Sequence, residues 1–484
     1  MKQIQISAAL LLLTVALTAC QQSADTKETS DTQIDSIAET TTSEVESTDA
    51  LDSFPDADYT GMTYTVMSRP VNKADINQIA PETLNGEIIN DAIFHRNEKI
   101  LDKYGVTVEW LERDEESYVL NFTNAVMAED DSFQFAAVHV IQAGTLASQG
   151  LLLDMNELPH IDMTQPWWNQ NARESLTVNG KTYIGQNDIP TYMVICSNHI
   201  MYYNKDIAEE YGIPDINQLV RDGDWTMDKL YELSGLVSDD LDGNSIMDEN
   251  DLWGLITTTG STSIFLPSCD QAIMENDENG IPQLVLNTPK TADIVERVYK
   301  LCVESGQTLM SDISHEVEYC ELFCEGHCLF YNGYVADMNM MRDMDDQFGL
   351  IPPPKYDENQ EEYYTLIQGS SDLVAIPRSL PEEKYEFVGL ITEALAAVSY
   401  YDVRPAIYEG AIKNKYMRDV DSEEMLDMIT HNIVVDFGFV NNGGFAFPIW
   451  NLMDEKSSDF ASYYAAREAS VISYNEKLLE QYLV

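Results

Sequence analysis

Tyr64-Thr-Val-Met-Ser68, Val106-Thr-Val-Glu-Trp110 and Phe133-Gln-Phe-Ala-Ala-Val-His-Val140 are three short apolar segments, and what separates them decides the fold. Between the first two, Ile89, Ile93, Ile100 and Tyr104 recur on one helical face, and Gly105 stops the helix. Tyr118 to Met127 reads as a second helix, and a third short one ends at Gly150. The third apolar segment is continuous rather than alternating, as expected of a strand covered on both faces. Strand, helix, strand, helix, strand in units of this length predicts a parallel sheet with helices on its faces.

The same texture continues downstream. Thr182 to Ile184 and Met193 to Tyr203 read as extended, Ala208 to Tyr211, Met227 to Leu236 and Ile294 to Val303 as helical. Leu329 to Tyr331, Leu350 to Pro352 and Leu373 to Ile376 read as later strands. The C-terminal part is mainly helical: Phe387 to Val398, then Met425 to Ile433 behind a capping box of Asp421 and Glu424, then Tyr463 to Leu483. No internal repeat is visible.

Upstream, Lys2 precedes an apolar and small-residue run from Ile6 to Ala19, too short to cross a bilayer but suited to a signal peptide over residues 1–19. The run ends in Leu17-Thr18-Ala19-Cys20, which resembles the bacterial lipobox and implies lipidation of Cys20. One acyl chain holds only reversibly, so stable anchoring needs two or three. From Gln21 to Asp58 the chain is Ser, Thr, Asp and Glu with few apolar residues, too little to offset ordering entropy. Residues 20–58 are therefore expected to be an anchored, extended acidic tether.

The chain of 484 residues carries 83 acidic against 27 basic side chains, a formal net charge of −56. That balance argues against nucleic acid or anionic lipid surfaces as partners, because phosphates would be repelled. Besides Cys20 there are six cysteines without regular spacing, so a disulfide framework is not expected. Cys320, Cys324 and Cys328 with His315 and His327 could be assembled into a metal set. Gly326 interrupts the helix that would align them, and small buried thiols are the preferred reading. No G-x-S-x-G, P-loop, dinucleotide fingerprint or H-E-x-x-H is present.

Asn204-Lys205-Asp206, Glu209-Glu210-Tyr211-Gly212-Ile213 and Gly223-Asp224-Trp225-Thr226 resemble a stretch of the family 1 extracellular solute-binding proteins, the maltose-binding-protein-like lipoproteins of ABC transporters. Further matches in order are Pro166-Trp167-Trp168, Gly180-Lys181-Thr182-Tyr183, Gly326 ahead of Phe330, Phe348-Gly349 to Asp357, and Ser399-Tyr400 to Lys415-Tyr416. The resemblance implies an α/β, two-lobed periplasmic-binding-protein-like (type II) fold, each lobe a mixed sheet flanked by helices, with a hinge between. By analogy lobe 1 is 59–188 plus 334–378, and lobe 2 is 189–333 plus 379–484. It also implies a monomer on the outer face of the cytoplasmic membrane that delivers a small solute, a sugar or oligosaccharide, to an ABC permease. No organic cofactor is implied.

A sugar presents apolar CH faces and hydroxyls, so its site needs aromatic rings and fixed polar groups. Tyr334 sits where the family places a stacking ring after a strand; Trp168, Phe445 and Trp450 are further aromatic candidates. Trp167 and Trp168 in an extended segment would point to opposite faces, so one at most reaches a cleft. Arg69, Gln142 and Asp188 come just after predicted strands, where ligands approach open α/β sheets.

Asp240-Leu-Asp242-Gly-Asn244-Ser245-Ile246-Met-Asp248-Glu-Asn-Asp251 matches a twelve-residue calcium loop. Asp240, Asp242, Asn244, Asp248 and Asp251 would supply side-chain oxygens, and Ile246 its carbonyl, for a structural calcium ion. Ser245 replaces the turn glycine and Asp251 the long bidentate Glu, as in dockerin-type loops. A competing class is a surface-anchored glycoside hydrolase, which needs two carboxylates across a glycosidic bond. Among 83 acidic residues the sequence neither names nor excludes such a pair.

Overall fold

The alternation read from residues 64–140 becomes a parallel ladder in the computed structural model, which describes residues 49–71, 76–241, 243–412, 420–441 and 443–483. The expected signal peptide, Cys20 and the expected tether as far as residue 48 lie outside the described residues, as does Asp242 of the expected calcium loop. In chain order the strands are β1 (Thr63–Ser68), β2 (Thr107–Glu112), β3 (Phe135–His139), β4 (His199–Asn204), β5 (Trp253–Thr258), β6 (Met274–Asn276) and β7 (Pro282–Leu284). After these come β8 (Thr308–Ser311), β9 (Cys328–Tyr334), β10 (Phe348–Ile351), β11 (Thr365–Leu366), β12 (Asp372–Ala375) and β13 (Ile433–Val434).

The first sheet runs β12-β3-β1-β2. β1 is parallel to β2 and β3, while β12 returns antiparallel along β3. Helices α1 (Ile88–Tyr104), α2 (Glu115–Met127) and α3 (Val140–Ser148) are the connections expected of parallel strands. Tyr118, Phe122 and Val126 of α2 pack with Met67, Ala136 and Val138 on one face of this sheet. Ile100 and Tyr104 of α1 and the helix Tyr385–Val398 pack with Tyr64, Val66, Phe135 and Val374 on the other. Gly105 caps α1 at φ 71°, a left-handed conformation that glycine reaches without strain.

The second sheet runs β10-β4-β9-β5-β8. β5 is parallel to β8 and β9, and β4 is antiparallel to both β9 and β10. Its core is Leu255, Ile256, Phe330, Tyr331 and Tyr202, continuous with the α2 side of the first sheet in one apolar cluster. The result is an α/β fold of two mixed sheets flanked by helices.

Several expectations are corrected. The folded unit begins at Asp49 rather than Tyr59: Leu51 is buried, Phe54 lies 6.1 Å from the Trp167 ring, and Lys103 Nζ donates to the Phe54 carbonyl at 3.2 Å. A polar segment needs only two well-placed apolar side chains to be held against a core. β10, assigned above to lobe 1, hydrogen-bonds β4 and so belongs to the second sheet. Conversely the buried helix Tyr385–Val398, assigned to lobe 2, covers the first sheet. Finally, only His199–Asn204 of the extended stretch from Met193 is strand; Thr191–Cys196 is a helical turn, α5, once α4 (Gln170–Leu176) is counted. The metal reading of the cysteines also fails on placement, because Cys320 and Cys324 sit on the helix Glu316–Cys324 whereas Cys328 opens the buried strand β9.

Candidate functional site

Because β1, β2 and β3 are parallel, the residues just past their carboxyl ends gather on one edge of the first sheet. Arg69 comes after β1, Glu115 opens α2 after β2, and His139 ends β3. Facing them are the end of β9 at Tyr334 and the turn before β4 at Tyr192 and Ser197, neighbours because His199 pairs with Tyr334 in the antiparallel ladder. These six residues line a cavity of about 180 Å³ between the two sheets. The arrangement places it beyond the carboxyl ends of strands, where open α/β sheets bind ligands.

Charge in this cavity is largely internally paired. Arg69 is buried; its Nε is 3.3 Å from Asp372 Oδ1 and its Nη1 3.5 Å from Glu115 Oε2, and Nη2 donates to the Ser370 carbonyl. Gln78 Nε2 donates to the other Asp372 oxygen at 2.8 Å. Burial raises the pKa of Asp372, with Arg69 working against it. His139 accepts the Ile141 N–H at Nδ1 (3.3 Å) as the cap of α3, so its proton sits on Nε2, 3.5 Å from Glu115. Burial first and Arg69 second push its pKa down to about 4, which leaves it neutral at pH 7.

Tyr334 is almost fully buried, its hydroxyl donating to Glu316 Oε1 at 2.8 Å and its ring centroid 4.5 Å from that of His199. Of the residues singled out from sequence, Arg69 and Tyr334 meet on this wall. Gln142 stands behind it: Nε2 donates to the Glu115 carbonyl at 2.9 Å, and buried Oε1 has no partner among the described residues. Glu115, His139, Tyr192 and Ser197 were missed. His139 carries a legible signal, a polar residue closing an apolar run; Tyr192 and Ser197 were hidden by the strand reading.

Trp168 and Asp188 go elsewhere. The segment from Gln165 turns, with Trp168 N–H on the Gln165 carbonyl at 3.1 Å, instead of running extended. Both indoles therefore reach the same carboxylate: Trp168 Nε1 donates to Glu393 Oε1 at 2.7 Å and Trp167 Nε1 donates to Oε2. They lie in the core of the first sheet, where burial raises Glu393 from an ordinary value of 4.5 to about 7. Asp188 pairs with Arg404 at 3.4 Å, and burial holds its pKa up at about 6. Phe445 stacks on Tyr464 at 5.0 Å, and Trp450 packs edge-on against Phe447 at 5.2 Å. Neither lines the cavity, because each packs against aromatic side chains of the C-terminal segment.

The acidic loop is stitched by its own hydrogen bonds. Asp240 accepts the N–H groups of Gly243 (2.7 Å), Asn244 (3.2 Å) and Ser245 (2.7 Å). Ser245 has φ 66°, the left-handed turn for which calcium loops ordinarily use glycine. Asp251 is fully buried and clasps the loop, one oxygen 2.9 Å from the Leu241 N–H and the other 2.8 Å from that of Asp248. Its two oxygens thus already have partners where the bidentate ligand would be. Among the described residues no group of three or more His, Cys, Asp or Glu side chains is disposed to hold a metal. No helix among them is long and apolar enough to cross a membrane.

No family model and no curated protein matches the sequence. Solved structures do match the fold. The cyclic α-maltosyl-1,6-maltose binding protein of Arthrobacter globiformis superposes with a TM-score of 0.58 at 14% identity, covering 86% of this chain and 99% of that one. A cyclo/maltodextrin-binding protein complexed with maltotetraose gives 0.54 at 15%, covering 87% and 97%. An ABC substrate-binding protein from Listeria monocytogenes in complex with cycloalternan gives 0.51 at 11%, covering 88% and 99%. The architecture is that of the two-lobed, periplasmic-binding-protein-like α/β fold.

Proposed function

We propose that this chain is the substrate-binding component of an ABC importer, which captures a neutral sugar or oligosaccharide between its two sheets, parting them to admit it because the cavity they leave is only about 180 Å³, and releases it unaltered to a permease. The observation that carries the reading is the cavity between the sheet edges, where Arg69 is paired with carboxylates on two sides and His139 is neutral. A uronate or phosphorylated solute would meet Glu115 with no free cation among the described lining residues to offset it. Hydroxyls, which donate and accept, suit the mixed wall of Ser197, Glu115, Arg69 and the tyrosines. Cycloalternan and maltotetraose are bound in two of the structures that share the fold, which supports the same class.

The rest of the reading is anchoring. Lipidation of Cys20 would hold the protein as a monomer on the extracellular face of the cytoplasmic membrane, with residues 21–48 as spacer. Mass spectrometry of the detergent-extracted protein tests the acyl chains directly. The glycoside hydrolase alternative predicts product when oligosaccharides are incubated with the protein; recovery of unaltered sugar removes it.

A thermal-shift panel of neutral saccharides tests the binding reading. At a hundred times its dissociation constant the right solute stabilises by about 2.7 kcal/mol. Tyr334→Ala, which removes a wall of the cavity, is expected to weaken that solute tenfold or more with the fold retained. Unchanged affinity would move the site away from Tyr334.

A calcium ion at residues 240–251 belongs to the same proposal. Asp240, Asn244, Asp248 and the Ile246 carbonyl would hold it together with Asp242, and Asp251 would have to release backbone N–H groups to join. Adding calcium to chelator-treated protein is expected to raise the melting temperature; a melting curve indifferent to both calcium and chelator removes the ion.

A further inference from the structure

The first sheet ends at β2, which is six residues long against four for each of the other edge strands, β8, β10 and β12. No strand among the described residues pairs with its outer side. The ladder to β1 fixes which backbone groups are left over. Thr107 N–H donates to the Met62 carbonyl at 3.1 Å and Arg113 N–H to that of Ser68 at 2.9 Å, so the odd-numbered residues of this stretch turn their backbone groups toward β1. The N–H and C=O of Val108, Trp110 and Glu112 therefore turn the other way. Such a row is a template for a further strand.

Beside that row the surface is a groove of about 900 Å³, bounded by β2, by α1 and by the loop at residues 80–85. The loop is tied down to the helix. Arg96 Nη2 and Asn97 Nδ2 both donate to the Ile79 carbonyl, at 2.6 and 2.9 Å, and Asn90 Nδ2 donates to that of Thr83 at 3.0 Å. Phe94 and Leu101 of α1 give the groove apolar lining, Leu101 being 47% exposed. An extended chain lying about 4.8 Å from β2 would send alternate side chains toward that lining.

Charge selects the occupant. The groove is lined by Glu82, Glu98, Glu109 and Glu112 and by no Lys, Arg or His. Of these only Glu98 has an ion-pair partner among the described residues, His95 at 2.9 Å. A second copy would set the same carboxylates against these, and residues 21–48, acidic in sequence, would also be repelled. We infer that the β2 groove docks an extended, Lys- or Arg-bearing segment of another protein, which joins the four-stranded first sheet at its open edge.

Fluorescence anisotropy of the whole protein tests this, with short peptides that alternate lysine with valine, threonine or phenylalanine and with their glutamate counterparts. Sodium chloride at about 0.15 M screens general attraction beyond about 8 Å. At least one lysine peptide is expected to bind, its glutamate counterpart not, and hydrogen exchange is expected to slow in Thr107–Glu112. Glu109→Lys combined with Glu112→Lys, both exposed, is expected to weaken binding tenfold or more; Glu209→Lys with Glu210→Lys, the same charge change outside the groove, leaves it within twofold. Glu112→Pro removes an outward N–H that the ladder does not use, a place where edge strands tolerate proline, and is also expected to cost tenfold. Failure of one groove variant to fold leaves the other decisive. Tyr334→Ala is expected to bind the peptide as wild type does, so the groove stands or falls apart from the solute reading. No binding by any lysine peptide, binding that survives both groove variants, or slowed exchange only outside β2 overturns the docking site. Self-association of the free protein that Glu112→Pro abolishes makes the occupant a second copy and overturns the basic partner.

Discussion

At the residue scale the most informative side chain is Glu393. It is buried beneath two adjacent indoles and the Asp162 N–H, yet burial outweighs these three donors and leaves its pKa raised to about 7. A carboxyl whose folded pKa exceeds its unfolded value of 4.5 contributes stability fully present below that value and lost as pH rises through about 7. Glu393→Gln cannot titrate. The stability of wild type relative to this variant, from urea midpoints, is therefore expected to fall between pH 4.5 and 7 and level off above. A relative stability that rises across this window would mean that the indoles hold the carboxylate charged. The same residue explains what sequence could not deliver. Arg69 could be singled out because a polar residue after a strand is a local signal, whereas the shared partner of Trp167 and Trp168 lies more than two hundred positions downstream. Nothing local says that two neighbouring indoles converge rather than diverge.

At the scale of elements, strand and helix periodicity was legible from residue 64 to residue 140, and the capped, amphipathic helices after it. Partnership was not. β10 reads as an apolar run wherever it is placed, and only its ladder to β4 shows which sheet it joins. Helix Tyr385–Val398 is buried all round from Phe387 onward, so it has no single covered face for a stripe to indicate. The entry segment is the clearest case. Composition said tether to residue 58, but a single buried Leu51 and Phe54 against Trp167 dock it. Leu51→Ala is expected to cost about 2 kcal/mol, at the low end for a buried leucine because a chain end can relax into the space. Leu84→Ala, at a position half exposed, is the control and should leave the urea midpoint unchanged. If both variants behave alike, residues 49–54 contribute nothing and the tether does extend to Tyr59.

For the whole molecule the dominant quantity is the net charge of −56. Such a surplus repels itself in the compact state, and the repulsion is spread over the surface rather than confined to pairs, so it is sensitive to salt. The Debye length shortens from about 30 Å at 0.01 M ionic strength to about 8 Å at 0.15 M, from the size of a lobe to that of a side-chain neighbourhood. The melting temperature in sodium chloride is therefore expected to rise across that interval, and most of the gain should come before 0.15 M. Buried pairs such as Arg69–Asp372 are shielded from ions and do not oppose the trend. A melting temperature that falls with salt would show instead that surface ion pairs such as Arg221 with Asp421 and Glu424 outweigh the surplus.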